Sequence, residues 1–106
     1  MQESVIFVPL ARSELHSKAL YYEDQRVGLG SEFRDEALMF QEFIAANPTR
    51  YSIRVADVRR ANLKRFPCHI NYILHGGVIA IVAISHNKQR PFYWGDRLAD
   101  RGWLNQ

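Results

Sequence analysis

Residues 58–97 read VRRANLKRFPCHINYILHGGVIAIVAISHNKQRPFYWGDR, and the order of residue types in this stretch decides the fold. Within 69–74, Ile70, Tyr72 and Leu74 fall on one side of an extended chain and His69, Asn71 and Ile73 on the other, the two-residue period of a strand. His75-Gly76-Gly77 follows, and glycine supplies the positive φ that a tight hairpin connection needs. Residues 78–84 are apolar on both sides, which predicts a strand at the centre of a sheet. Upstream, residues 60–64 also alternate: Ala61 and Leu63 point toward a core, and Arg60, Asn62 and Lys64 away from it. Phe66-Pro67 separates this strand from the next. Downstream, His86 ends the central strand and a block with Lys88, Arg90, Tyr93, Trp94 and Arg97 follows.

Toward the N-terminus, residues 4–8 (SVIFV) form a short apolar run stopped by Pro9, the pattern of an edge strand, because proline cannot donate to a ladder. Residues 10–26 recur at helical spacing, with Ala11, Leu15, Ala19 and Tyr22 on one side and Ser13, Glu14, His16, Ser17 and Lys18 mostly on the other. Gly28-Leu29-Gly30 breaks this helix. A second helix runs over about 31–46, with Ser31 as its N-cap, Phe33, Ala37, Phe40 and Ile44 as its apolar stripe, and Asn47-Pro48 as its end. So short a glycine connection predicts an antiparallel helical hairpin. The predicted fold class is α+β: an N-terminal strand, then a two-helix antiparallel hairpin packed on one face of a curved antiparallel sheet of roughly three or four strands.

The 106 residues suffice for one domain, taken as 1–106, with a single core. A composition of 47% hydrophobic and 24% charged residues is that of a globular protein, not of a disordered tail or a membrane span. The longest apolar run, residues 78–84, is far short of the roughly 20 residues a bilayer demands. The N-terminal MQESVIFVPLARSEL lacks the basic, apolar and small-residue succession of a secretory signal, so a cytoplasmic location without membrane contact is expected. Cys68 is the only cysteine, which excludes an intramolecular disulfide and a cysteine-based zinc cluster, and in a strand it reads as core packing. No cofactor or metal site is indicated, and His16, without a metal-spaced partner, reads as surface. Glu32, Asp35 and Glu36 fall in the first turns of the second helix, where the helix dipole favours carboxylates.

The net charge of +3 conceals a split: residues 1–49 carry four basic and eight acidic side chains, and residues 50–106 carry ten basic and three acidic ones. The asymmetry points either to an anionic partner for the second half or to mutual attraction of the halves across the fold. Arg60, Asn62, Lys64, His69 and Asn71, placed together on the open side of the sheet, would form a phosphate-binding surface.

Three segments resemble the RelE/ParE superfamily of bacterial type II toxins, and within it the ParE-like plasmid stabilisation branch. They are Ala19-Leu20-Tyr21-Tyr22-Glu23 followed by Gly28-Leu29-Gly30 and Phe33; Val58-Arg59-Arg60 with Leu63, Arg65, Phe66 and Pro67 leading to Tyr72; and His86 followed by Pro91, Tyr93, Trp94 and Arg97. Together they span nearly the whole chain in the family's order. The chain also departs from the pattern. Cys68 stands where members commonly have Tyr, and Gln89 where an Arg tends to lie, with Arg90 one residue later. His69 occupies a strand on which the RNA-cleaving branch usually has an Arg.

The resemblance implies a growth-inhibitory toxin held inactive in a hetero-oligomer with a cognate antitoxin, whose own segment folds over it. It also implies two kinds of target. One branch binds DNA gyrase and needs no chemistry from the toxin; this is the leading expectation, in keeping with the modest net charge. The other enters the ribosome and cuts mRNA without a metal. In that case His86 or His69 would serve as base or acid and Tyr93 as a proton donor or stacking ring, while Lys64 and Arg90, together with Arg60 and Lys88, stabilise the phosphate; the catalytic set this singles out is His86, Tyr93, Lys64 and Arg90. The expected target- or phosphate-binding residues are Arg60, Lys64, His69, Lys88, Arg90, Trp94 and Arg97. Structural roles stand beside these: Tyr93 and Trp94 packing the C-terminal segment onto the sheet, His86 as a hydrogen-bonded strand-end histidine, Arg59 and Arg65 anchored to helix carboxylates, and Trp103 in packing or a partner contact. A third possibility is a degenerate toxin that only binds its antitoxin. Whether the chain is an enzyme stays open on these residues.

Overall fold

The computed structural model describes residues 4–99; Trp103 lies outside them. The element order is β1 (Ser4–Phe7), α1 (Pro9–Gln25), α2 (Leu29–Ala46), β2 (Ile53–Val55), β3 (Val58–Asn62), β4 (Cys68–His75), β5 (Val78–His86) and the short α3 (Asp96–Ala99). The strands form one sheet in the order β1-β5-β4-β3-β2. Strands β2 to β5 are an antiparallel meander, and the α+β class expected from the sequence is the one found. Periodicity did not give the placement of β1, which pairs parallel with β5. The helical hairpin between them carries the chain back across the sheet, as a parallel pair requires.

The α2 stripe of Phe33, Ala37, Phe40 and Ile44 is buried, as are Ala11, Ala19 and Tyr22 of α1. The expected N-cap at Ser31 is corrected. The cap position is Gly28, in the left-handed region at φ 91°, and Ser31 lies inside the helix. Glu23 of α1 supplies the capping acceptors: its two carboxylate oxygens accept from the Gly28 N–H at 2.9 Å and the Gly30 N–H at 3.0 Å. Gly30 approaches α1 so closely that a Cβ there would lie 2.5 Å from the Ala19 carbonyl oxygen.

The sheet is buried on both faces. Toward the helices, Ile70, Tyr72, Ile79, Ile81 and Ile84 pack against Tyr22, Phe33, Phe40 and Phe66. Cys68 belongs to this side and is fully buried, its Sγ 3.6 Å from the Tyr22 hydroxyl; burial pushes the thiol pKa up, so it is an inert core residue. On the opposite face, Val58, Ile73, Ala80, Val82 and Ala83 form a second core with Trp94, against which Ile6, Tyr93 and Leu98 pack. A register shift opposite Asn71 and Tyr72 makes this arrangement possible. It places two consecutive residues, Val82 and Ala83, in the second core and reverses the inside–outside parity beyond them. Ser85 therefore joins the face that carries His69 and Asn71 and lies away from the helices.

This second core corrects the expectation of an open polar face. His69 and Asn71 are buried, at 8% and 3% exposure, where the C-terminal segment crosses the sheet. Two charged residues also behave differently from their periodicity. Glu36 is buried at 5% exposure, and its Oε2 accepts the backbone N–H groups of Lys64 at 2.7 Å and Arg65 at 3.0 Å, pinning the β3–β4 connection to α2. Arg65 pairs with Glu32 as expected, whereas Arg59 donates to the backbone carbonyls of Thr49 and Tyr51 and not to a helix carboxylate. Among the described residues, no helix is long and apolar enough to cross a membrane.

Candidate functional site

Where the C-terminal segment leaves β5, a cavity of about 250 Å³ lies between the sheet and residues 86–94. Its floor is His69 and Asn71 of β4 with Ser85 of β5. One wall is Arg54 of β2 with Arg60 of β3, and the other is His86, Asn87, Arg90, Phe92 and Trp94. No carboxylate is among the lining residues, so the site is cationic. Burial, then the neighbouring charge of Arg54, lowers the Arg60 guanidinium pKa.

The imidazole of His69 is held in one orientation. Its Nδ1 lies 2.7 Å from Asn87 Oδ1, a carbonyl oxygen that only accepts, so Nδ1 carries the proton and Nε2 bears the lone pair of the neutral ring. Burial foremost, and then the charges of Arg60, Arg54 and Lys18, lower the His69 pKa against the opposing effect of the Asn87 hydrogen bond. His86 is the opposite tautomer: the Lys88 N–H donates to its Nδ1 at 3.1 Å, leaving the proton on Nε2. Gln89 closes the same turn, accepting the His86 N–H at 2.6 Å and donating its own backbone N–H to the His86 carbonyl. Gln89 therefore has a local structural role, holding the turn that carries His86.

Behind the floor runs a chain of hydrogen bonds whose directions are all determined. Asn71 Nδ2 donates to Ser85 Oγ at 3.0 Å, and the Tyr93 hydroxyl donates to Glu14 at 2.6 Å. Ser85 must therefore donate to the Tyr93 oxygen across their 3.1 Å contact. Arg97 closes the series with two bonds to Glu14, at 2.9 and 3.0 Å, and one to the Val82 carbonyl in the bulge. Burial first, then the Glu14 hydrogen bond, pushes the Tyr93 pKa up to about 12.

The residues singled out from the sequence divide accordingly. Arg60, His69, His86, Arg90 and Trp94 line the cavity; Trp94, 5% exposed, does so as part of the second core. Lys64 is exposed and lines a neighbouring shallow groove with Arg50, Asn62 and the outer sides of Arg54 and Arg60. Tyr93 and Arg97 sit behind Ser85, bonded to Glu14, and Lys88 is exposed on the turn beyond His86. Four participants escaped sequence reasoning: Arg54, Ser85, Asn87 and Glu14. Only Arg54 had a signal, the charge excess of the second half. Ser85 depends on the bulge, and Glu14 on where β1 stops. Among the described residues, no three His, Cys, Asp or Glu side chains are grouped to hold a metal ion.

This combination defines a class: a small α+β domain with a helical hairpin on one sheet face and a cationic cavity, roofed by the C-terminal segment, on the other. Solved structures share the architecture. A chain of the chromosomal ParDE TA system from P. aeruginosa superposes with a TM-score of 0.66 at 15% identity, covering 80% of this chain and 96% of that one. A doubly substituted form of the E. coli toxin RelE in the free state superposes with a TM-score of 0.63 at 13% identity, with 100% of both chains covered. No protein-family model matches the sequence, and no curated protein matches it. The fold is that of the RelE/ParE toxins.

Proposed function

We propose that this chain is the toxin of a type II toxin–antitoxin pair, a single-domain, cytoplasmic growth inhibitor of the ParE-like kind. In this reading it binds a target protein such as DNA gyrase and is neutralised in a hetero-oligomer by a cognate antitoxin. The fold likeness supports the toxin role. One observation carries the preference for binding over cleavage: the four residues that mRNA cleavage would draw on do not converge. His86 and Arg90 line the cavity, Lys64 lies in the next groove, and the Tyr93 proton is engaged by Glu14. A phenol with its pKa pushed up to about 12 and bonded to a carboxylate is a poor proton donor to a leaving group.

A ribosome-dependent mRNA endonuclease is the second reading, and His69 is the observation in its favour. A neutral imidazole with Nδ1–H held by Asn87, next to Arg54 and Arg60, has the layout of a general base beside phosphate-binding cations. Induction of the chain with and without its antitoxin, a gyrase supercoiling and cleavage-complex assay, and primer extension on translating ribosomes separate the readings. Growth arrest with trapped gyrase cleavage complexes and unchanged mRNA ends supports the first. New mRNA ends that disappear in His69→Gln support the second. No arrest, and no effect in either assay, overturns the toxin reading and leaves an antitoxin-binding protein.

A further inference from the structure

The cavity floor combines two features that rarely serve the same ligand atom. Three arginines, Arg54, Arg60 and Arg90, offer only donors and positive charge. Between them, His69 and Asn71 offer acceptors. Both side chains are more than nine-tenths buried, and neither Nε2 of His69 nor Oδ1 of Asn71 is used in a hydrogen bond. No buried side-chain nitrogen or oxygen among the described residues lacks a partner, so these two atoms retain solvent contact, which reaches them through the cavity. A simple anion would satisfy the arginines and meet two lone pairs. A neutral ligand would satisfy the lone pairs and leave three cations uncompensated. The complementary ligand carries anionic oxygens and O–H donors side by side.

We propose that this cavity binds the terminal phosphomonoester of a nucleotide, its oxygens on Arg54, Arg60 and Arg90, one proton shared between the phosphate and His69 Nε2, and a ribose hydroxyl donating to Asn71 Oδ1. Phe92, at the lip and 45% exposed, offers a ring face to the base, while Trp94 stays in the wall. The proton distinguishes this ligand from the backbone of a nucleic acid. A phosphomonoester has a second ionisation near about pH 6, and an internal phosphodiester has no proton to give. The inference stands on the cavity alone and is independent of which target the toxin reading assigns.

The proton count fixes the pH dependence. The complex holds one proton in the pair formed by His69 and the phosphate. The charged and titratable groups facing that pair are the cations Arg54 from β2, Arg60 from β3 and Arg90 from the roof and the imidazole of His86 at the end of β5, with Lys18 of α1 more distant. Above about pH 6.5 both free partners are deprotonated, so binding takes up a proton and weakens about tenfold per pH unit. At lower pH both are protonated and binding must release one. Affinity for a monoester therefore passes through a maximum, whereas affinity for a diester only rises as the pH falls.

Titration calorimetry of the whole chain from pH 5 to 8 tests this with adenosine 5′-monophosphate, a 5′-phosphorylated oligoadenylate, the diester adenylyl-adenosine and inorganic phosphate. The expected result is a bell-shaped profile for the mononucleotide and the phosphorylated end, with the diester at least about tenfold weaker at pH 7. In His69→Gln the bell disappears. Arg54→Gln, a change at an exposed side chain that does not threaten folding, weakens binding about tenfold and keeps the bell. Mononucleotide and diester binding with the same strength and profile overturns the proposal, as does no binding by the folded protein. Inorganic phosphate binding as tightly as the mononucleotide overturns the nucleotide assignment.

Discussion

Glu14 and Tyr93, 79 residues apart in sequence, share a 2.6 Å hydrogen bond that ties the first helix to the segment roofing the cavity. The same carboxylate binds Arg97 through both of its oxygens and accepts the Ile84 N–H at 3.1 Å. Strand β1 ends at Phe7, opposite Ile81, so beyond that point β5 has β4 on one side and no strand on the other. Glu14 takes over as acceptor for the exposed ladder position, and Arg97 donates to the Val82 carbonyl beside it. One side chain thus completes the sheet edge and fastens the roof.

Loss of that carboxylate removes the acidic partner of Arg97, whose side chain is 14% exposed and keeps the Val82 carbonyl, and takes acceptors from Tyr93 and Ile84. Glu14→Ala is expected to cost about 2 kcal/mol in urea unfolding, from the loss of hydrogen bonds to a charged acceptor in a partly buried network. Arg97→Ala alone should cost less, because Glu14 keeps the Tyr93 and Ile84 donors. The double variant should fall short of the sum by about 1 kcal/mol or more, since each single change already removes the shared pair.

Tyr93 makes the same network sensitive to alkali. Its pKa is pushed up to about 12 from the ordinary 10.0, by burial first and then by the bond to Glu14, and burial raises Tyr72 to about 12 as well. A group whose folded pKa lies above its unfolded value stabilises the protein fully below the unfolded value and loses that contribution as pH rises through the folded one. Burial raises Tyr22 too, so stability is expected to fall as pH rises from 10 to 12, with three phenolates, those of Tyr22, Tyr72 and Tyr93, absent from the ultraviolet titration until the chain unfolds. Tyr93→Phe should shallow that decline and cost about 1 kcal/mol at neutral pH, because the Ser85 O–H loses its acceptor and Glu14 Oε2 keeps only the Arg97 donor.

The helical hairpin rests on two glycines for different reasons. At Gly30 a Cβ would sit 2.5 Å from the Ala19 carbonyl oxygen, a backbone atom that cannot move without shifting α1. At Gly28 there is open space, but φ is 91°. Gly28→Ala is expected to cost about 1–2 kcal/mol from backbone strain alone. Gly30→Ala should cost more, about 2–3 kcal/mol, through overpacking and loss of the Glu23 cap. Urea midpoints of the two variants check the order.

Those glycines illustrate what was legible in the sequence. Gly28-Leu29-Gly30 announced a break between helices, and the stripe of Phe33, Ala37, Phe40 and Ile44 announced the buried side of the second. Both signals are local, and both survive because tertiary packing reinforces them. The cap did not survive, because Glu23 reaches the N–H groups of Gly28 and Gly30 from the preceding helix and displaces Ser31 from that role. The meander was readable from alternation and from Gly76-Gly77. The parallel seat of β1 was not, since a run as short as SVIF carries no record of its partner. At the site, Arg60, His69 and His86 were visible as polar residues on or beside apolar strands. The company they keep was not, because a single extra residue in β5 decides that Ser85 faces Asn71, and a strand end decides that Glu14 turns inward.

His69 carries the acid-side counterpart of the tyrosine effect. It is 8% exposed, and burial, reinforced by Arg60, Arg54 and Lys18, holds its pKa below the ordinary 6.5 although the Asn87 bond opposes the shift. In the unfolded chain the imidazole titrates normally, so below pH 6.5 the unfolded state binds the proton more readily than the native state. Stability is thus complete above pH 6.5 and declines as pH falls toward the folded pKa, by up to about 1.4 kcal/mol per pH unit within that window. His69→Gln leaves no ring to charge and is expected to flatten the dependence of the urea midpoint on pH between about 6.5 and 5, above the range where carboxylates dominate. An equal slope in the variant and the parent would show that His69 is protonated in place, most simply by turning Nε2–H toward solvent in the cavity. A flattened slope, together with a cavity that still binds the mononucleotide more weakly, separates the proton the fold excludes from the proton the ligand brings.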